Sequence, residues 1–196
     1  NTKEVLYLIN RPGQVASHSG SVEWLDRAVA LVAPVAGTVT IRGDTDFTHT
    51  AHLDRWDQAG RHFILGMDAH AKVVGLAEAL PASAWKRLER VPKYEILTEP
   101  RRKAIRHKEQ IVIEKEFRNQ VLVGEDIAEI DYQPVKCGRK YRLVIVRKNL
   151  SIQQGEKALL DEIRYFFYIT NRKDAAEKIV GLANGRCDQE NVIEQL

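Results

Sequence analysis

Over the first eighty positions, apolar residues alternate between short unbroken runs and helical spacings. Val5, Leu6, Tyr7, Leu8 and Ile9 form a continuous apolar run that predicts a buried strand, ended by a turn at Arg11, Pro12 and Gly13. Val22, Leu25, Val29 and Val32 recur at three- and four-residue intervals, the spacing of one helix face. They predict a helix capped at Ser19 or Ser21 and closed by Pro34 and Gly37. The β-branched stretch 38–42 reads as a strand, and residues 48–59 as a helix stopped by Gly60. Residues 62–67 read as a third strand, and residues 69–80 as a helix ending before Pro81. Strand and helix alternating in this way predict an α/β layered fold.

The pattern then changes. Between about 85 and 150 the chain shows strand-like runs at 110–117, 120–123, 128–132 and 141–146, joined by charged or Gly/Pro turns. These predict an antiparallel, β-rich insertion at 83–150 between a first core segment, 1–82, and a last one, 151–196. Residues 165–169 form a strongly apolar strand pattern, and Asp174 precedes Glu177 by the capping-box interval. A final helix is expected from 175 to 196, with Ala175, Ile179, Leu182, Ala183 and Ile193 as its apolar stripe. Gly181 and Gly185 lie inside it, at about 1 kcal/mol each relative to Ala. Small residues there leave room for a neighbouring backbone, of DNA or of a strand.

Charge sharpens this division. The whole chain of 196 residues carries a net charge of +3, but residues 86–148 hold 17 Lys and Arg against 10 Asp and Glu, a net of +7. The remainder is acidic, at −4. Clusters at Arg101, Arg102 and Lys103, and at Arg139 and Lys140, fit an electrostatic footprint for nucleic acid, or else a solvated strand surface. No apolar run approaches the ~20 residues that span a bilayer, so no membrane partner is expected. The two cysteines, Cys137 and Cys187, form no CxxC pair and give no reason to expect structural zinc or a disulfide scaffold. A cytosolic setting is the expectation. The chain begins with Asn1 and enters an apolar run at once, so an internal piece of a longer protein is expected.

Two acidic positions stand out. On the final helical wheel Arg186 and Glu190, four residues apart, fall within the apolar stripe. An inward Arg and Glu are costly unless they pair or bind something, so they read as a packing ion pair or as a site. Asp44 follows the strand at 38–42, and ligands in open α/β sheets gather beyond strand C-termini. The alternative for the Gly43-Asp44-Thr45-Asp46 stretch is a turn with an Asp helix cap. His49 and His52 have the spacing of a zinc pair but no third ligand pattern, and read as ordinary helix-start histidines. Cys187 beside Arg186 reads as a packed thiol rather than a reactive one, and Trp24, Trp56 and Trp85 as packing residues rather than base-stacking ones. There is no GxGxxG, P-loop or GxSxG to support a small-molecule enzyme.

Taken together, residues 42–47 (Arg-Gly-Asp-Thr-Asp-Phe), residues 165–171 (Tyr-Phe-Phe-Tyr-Ile-Thr-Asn) and residues 184–191 (Asn-Gly-Arg-Cys-Asp-Gln-Glu-Asn) resemble segments of bacterial insertion-sequence transposases of the Asp-Asp-Glu class. Residues 1–13 are similar to such proteins as well. The first segment resembles the one holding the second catalytic Asp, and the last resembles the Tyr-x2-Arg-x3-Glu-x6-Lys signature, with Arg186 at its Arg and Glu190 at its Glu. Ala183 stands at the signature Tyr, and the Lys would fall one residue past Leu196. Glu4, Glu23 and Asp26 are the acids before Asp44, and none sits in a comparable strand, so the first catalytic Asp is expected upstream.

The resemblance implies a ribonuclease H-like core, its N-terminal strands missing, with a β-rich insertion. It implies DNA strand cleavage and strand transfer by phosphoryl transfer with Mg²⁺ or Mn²⁺. Asp44 would help bind two ions and Glu190 one, with Asp46 the alternative ligand to Asp44. Arg186 would neutralise a phosphate or orient Glu190. Double-stranded DNA (element ends and target), a homodimer in the active complex and a cytoplasmic, nucleoid-associated location are the implied partners and setting. This stretch alone is expected to be inactive. The competing readings are a nuclease of the same fold that cuts without joining, and a non-catalytic DNA-binding remnant.

Overall fold

The computed structural model describes residues 5–10, 12–16, 18–90, 107–116, 118–155 and 157–185. Along the chain run α1 (Ser21–Val32), β1 (Thr40–Gly43), α2 (Leu53–Gln58), β2 (His62–Met67), α3 (Ala71–Glu78), β3 (Lys86–Arg87), α4 (His107–Glu114), β4 (Arg118–Tyr132), β5 (Tyr141–Gln154), β6 (Lys157–Thr170) and α5 (Ala176–Asn184). The strands form one mixed sheet in the order β1-β2-β6-β5-β4-β3. β1 and β2 are parallel and joined through α2, while every other neighbouring pair is antiparallel. The architecture is therefore mixed α/β.

Alternation along the strands divides the core in two. Phe63, Leu65 and Met67 of β2 join Leu143 and Ile145 of β5 on one face, under Leu53 and Trp56 of α2, Val73 and Ala77 of α3, and the Val22, Leu25 and Val29 stripe of α1. Ile64, Val144 and Val146 project to the other face, against Ile179, Val180 and Ala183 of α5. β2 is covered on both faces, which is why its sequence is an unbroken apolar run rather than an alternating one. Each fully buried Phe, Leu or Ile here contributes about 1.5–3 kcal/mol of transfer free energy.

Several sequence expectations need correction. Residues 5–9 form no strand: they pair with no neighbouring strand among the described residues and stay exposed, with Tyr7 resting on Trp24 at a ring separation of 5.2 Å. The expected strand at 110–117 is largely helical, since α4 spans His107–Glu114 and Gln110 donates to Glu114 one turn on at 2.9 Å. A short β-branched run cannot by itself tell a strand from a helix turn. The runs at 120–123 and 128–132 are one strand, β4, because a bulge between Leu122 and Gly124 absorbs the irregularity. β5 and β6 extend well past their apolar stretches, carried by mutual pairing as far as Gln154 and Lys157. β5 thus runs through residue 150, and β6 continues the same sheet.

The helix ends differ too. Gly20, at φ 67°, is the cap residue of α1, and the Ser21 side chain turns instead to His49. The first turn expected of the helix at 48–59 is a 3₁₀ turn, Thr50–His52, and α2 proper begins at Leu53. Asp174 makes no cap bond to α5, whose cap residue is Ala175. It pairs instead with Arg172 at 2.8 Å and Lys178 at 2.6 Å. Those two cations hold its carboxyl well below the usual carboxylate range.

Candidate functional site

The candidate site starts at the C-terminal end of β1. β1 lies parallel to β2, with Gly43 opposite Leu65, so the chain emerges at Asp44 beside the end of β2. A 3₁₀ turn, Thr45–Phe47, follows at once. It is closed by the backbone, Phe47 N donating to the Asp44 carbonyl at 3.2 Å, and the Asp44 carboxylate makes no cap bond to it. The turn sits directly on β2. A Cβ built on Gly66 would lie 3.1 Å from the Thr45 nitrogen and 3.3 Å from the Asp44 carbonyl carbon. The Thr48 hydroxyl lies within hydrogen-bond reach of both the Asp44 carbonyl (3.1 Å) and the Gly66 carbonyl. A residue without a side chain in β2 and one hydroxyl thus fix the backbone that carries Asp44. Asp46 is exposed on the same turn.

The second half approaches through α5. Arg42, two residues before Asp44, donates from Nη1 to the Leu182 carbonyl at 2.8 Å in the last turn of α5. A Cβ on Gly185 would lie 3.2 Å from the same guanidinium nitrogen. Among the described residues, the C-terminal end of α5 therefore lies against the strand that leads to Asp44. Gly185 permits this approach to Arg42, whereas Gly181 faces nothing within 4 Å among the described residues. Arg186 and Glu190 lie outside the described residues, as does Cys187. Among the described residues no group of three or more His, Cys, Asp or Glu could hold a metal ion.

The other expected residues sort as follows. Arg101, Arg102 and Lys103 lie outside the described residues. Arg139 is committed to Asp57 at 2.9 Å, while Lys140 lines an open cleft of about 490 Å³. His49 and His52 stand 6.3 Å apart between ring centroids, and the His49 Nε2 is engaged with the Ser21 hydroxyl at 2.7 Å. Burial, then the neighbouring His52, His18 and Lys136, lower the His49 pKa. The tryptophans pack within the protein: Trp56 is buried and donates to Asp26 at 3.0 Å, Trp24 lies under Arg27, and Trp85 lies under Arg147. No described helix is long and apolar enough to cross a membrane.

Sequence reasoning missed a polar network that ties the start of α2 to the start of β5. Asp54 accepts from the Tyr141 hydroxyl and the Gly138 N–H, each at 2.6 Å. The Tyr141 hydrogen bond is the largest cause of the lowered Asp54 pKa. Burial, then the Asp54 bond, pushes the Tyr141 phenol up. Cys137, buried and unbridged, donates its thiol to the Thr50 carbonyl, and burial pushes its pKa up to about 11. Nearby, Asn171 accepts from the Phe63 N–H and donates to Asp57 and the Arg61 carbonyl. The run Asn171, Arg172, Lys173, Asp174 after a strongly apolar strand was the available signal. No family model, curated protein or solved structure matches the chain.

Proposed function

We propose that this chain is part of the catalytic core of a DNA transposase, with a ribonuclease H-like arrangement around β1 and β2. In this reading it takes part in metal-dependent cleavage and joining of DNA strands. The observation that carries the reading is the Arg42–Leu182 hydrogen bond. It holds the end of α5, from which the chain proceeds to Arg186 and Glu190, against the strand that leads to Asp44. Carboxylates from remote chain segments converging at a strand end are what phosphoryl transfer needs.

Asp44 and Glu190 are hard oxygen donors and suit Mg²⁺ or Mn²⁺. A divalent pair, when bound, stabilises the attacking and leaving oxygens of an in-line displacement. The chain's own part is positional. Gly66 and Thr48 hold the Asp44 backbone and Arg42 holds α5; in this reading Arg186 would orient Glu190 or meet a phosphate. The first acid would come from an upstream segment, so residues 1–196 alone would cleave little or nothing.

The test uses a chain extended upstream to include that acid. Asp44→Asn and Glu190→Gln should each abolish Mg²⁺-dependent cleavage of duplex DNA while leaving DNA binding intact. Full nicking by either variant refutes the assignment. Cleavage without joining by the unsubstituted chain would identify a nuclease instead.

A further inference from the structure

The cleft lined by Lys140 lies at the opposite end of β1 from Asp44. It opens where β5 begins at Tyr141 and β6 ends at Thr170, and it is bounded by the segment leading into α5. Arg172, in its wall, donates from Nη1 to Thr40, the first residue of β1. The lining carries four cationic side chains, Lys140, Arg142, Arg172 and Lys173, against two acids, Asp57 and Glu129.

The pairing within the cleft decides where the surplus charge sits. Glu129 is taken by Arg142, which also donates to the Asp174 and Arg172 carbonyls. Asp57 is taken by Arg139 at 2.9 Å and by Asn171 at 2.7 Å. Arg172 is held by Asp174. Lys140 and Lys173 are exposed, and their ammonium groups form no ion pair among the described residues. Two uncompensated, strongly hydrated point charges thus flank a polar floor. The lining offers no apolar anchor of the kind a peptide or drug-like ligand requires, its one aromatic ring, Tyr141, being buried. Lysines on the rim of an open polar groove suit a linear polyanion, met through its phosphates.

We propose that this cleft is a second, non-catalytic contact for the phosphate backbone of duplex DNA, with Lys140 and Lys173 as its two phosphate-neutralising residues. It rests on the DNA reading given above. It would anchor the duplex one strand's length away from Asp44, about 13 Å at 3.3 Å per residue over the four residues of β1. Arg142 and Arg172 act as positioning residues that build the walls.

Binding of a fluorescein-labelled 20-base-pair duplex to residues 1–196 is followed by anisotropy between 50 and 300 mM KCl. The double variant Lys140→Glu/Lys173→Glu should bind at least about tenfold more weakly at 100 mM salt. The slope of log affinity against log salt should become shallower by about two, at roughly 0.9 per lost phosphate contact. Lys115→Glu/Lys157→Glu makes the same change of net charge away from the cleft and should stay within about threefold of the unsubstituted protein. Lys140→Ala/Lys173→Ala, which is less disruptive, should fall between the two with an unchanged circular dichroism spectrum. An unchanged slope, or an equal loss in the control, overturns the cleft assignment while leaving the DNA reading standing. Absence of duplex binding by the unsubstituted protein rejects the DNA reading, and the cleft assignment with it.

Discussion

Gly66→Ala offers a direct test of how the Asp44 turn is held. The new methyl group would meet the Thr45 nitrogen at 3.1 Å, the Asp44 carbonyl carbon at 3.3 Å and the Thr45 Cγ2 at 3.4 Å. Two of these are backbone atoms, which cannot rotate away as a flexible side chain could. The turn must therefore lift by a few tenths of an ångström. Overpacking of this kind costs about 1–3 kcal/mol. Replacing Gly by Ala within a strand returns about 0.5–1 kcal/mol by restricting the unfolded chain. The net expectation is a loss of about 0–2.5 kcal/mol, centred near 1 kcal/mol, or a Tm lowered by up to about 10 °C for a chain of this length. Gly75→Ala is the matched control. It lies inside α3, its Cβ would meet nothing within 4 Å, and it should stabilise by about 0.5–1 kcal/mol. Urea midpoints at constant m separate the two. In the upstream-extended chain, Gly66→Ala should also depress Mg²⁺-dependent cleavage while Gly75→Ala does not. If Gly66→Ala stabilises the protein as much as Gly75→Ala does, the seating of the Asp44 turn on β2 is refuted.

Two further expectations concern the polar network. Tyr141→Phe should cost about 1 kcal/mol at neutral pH, below the roughly 1.5–3 kcal/mol of a bond to a charged acceptor because Asp54 is partly solvated. Its pH dependence is specific. The lowered pKa of Asp54 contributes stability above its unfolded pKa, about 3.9, that is lost as pH falls through the folded value. The raised Tyr141 pKa contributes stability that is lost as pH rises above about 10. Urea unfolding from pH 3 to 11 should show the variant less pH-sensitive on both limbs, and parallel profiles would contradict the network. In a Cys187→Ser background, Cys137 should react with a disulfide reagent at pH 8 far more slowly in the native protein than in urea, because the buried thiol stays protonated. Equal rates would show that the thiol is accessible.

The sequence alone determined the parts of this protein in which one face of a local element meets one core. The Val22, Leu25, Val29 spacing specified α1, and the unbroken run at 62–67 specified β2 to the residue. Asp44 at a strand end was legible for the same reason, since a β-branched run stopped by Gly-Asp marks its own boundary. The tertiary structure decided what depends on partners far along the chain. The apolar run at 5–9 finds no neighbouring strand among the described residues, while the charged run Arg147, Lys148, Asn149 is strand because β4 and β6 flank it. The Arg42–Leu182 bond joins residues 140 positions apart, and the cleft draws on four separate segments; neither leaves a trace in local periodicity. Periodicity records the face a segment turns toward the core. It carries no record of which remote segment fills the other side, because that choice is made by packing and hydrogen-bond satisfaction once the elements meet.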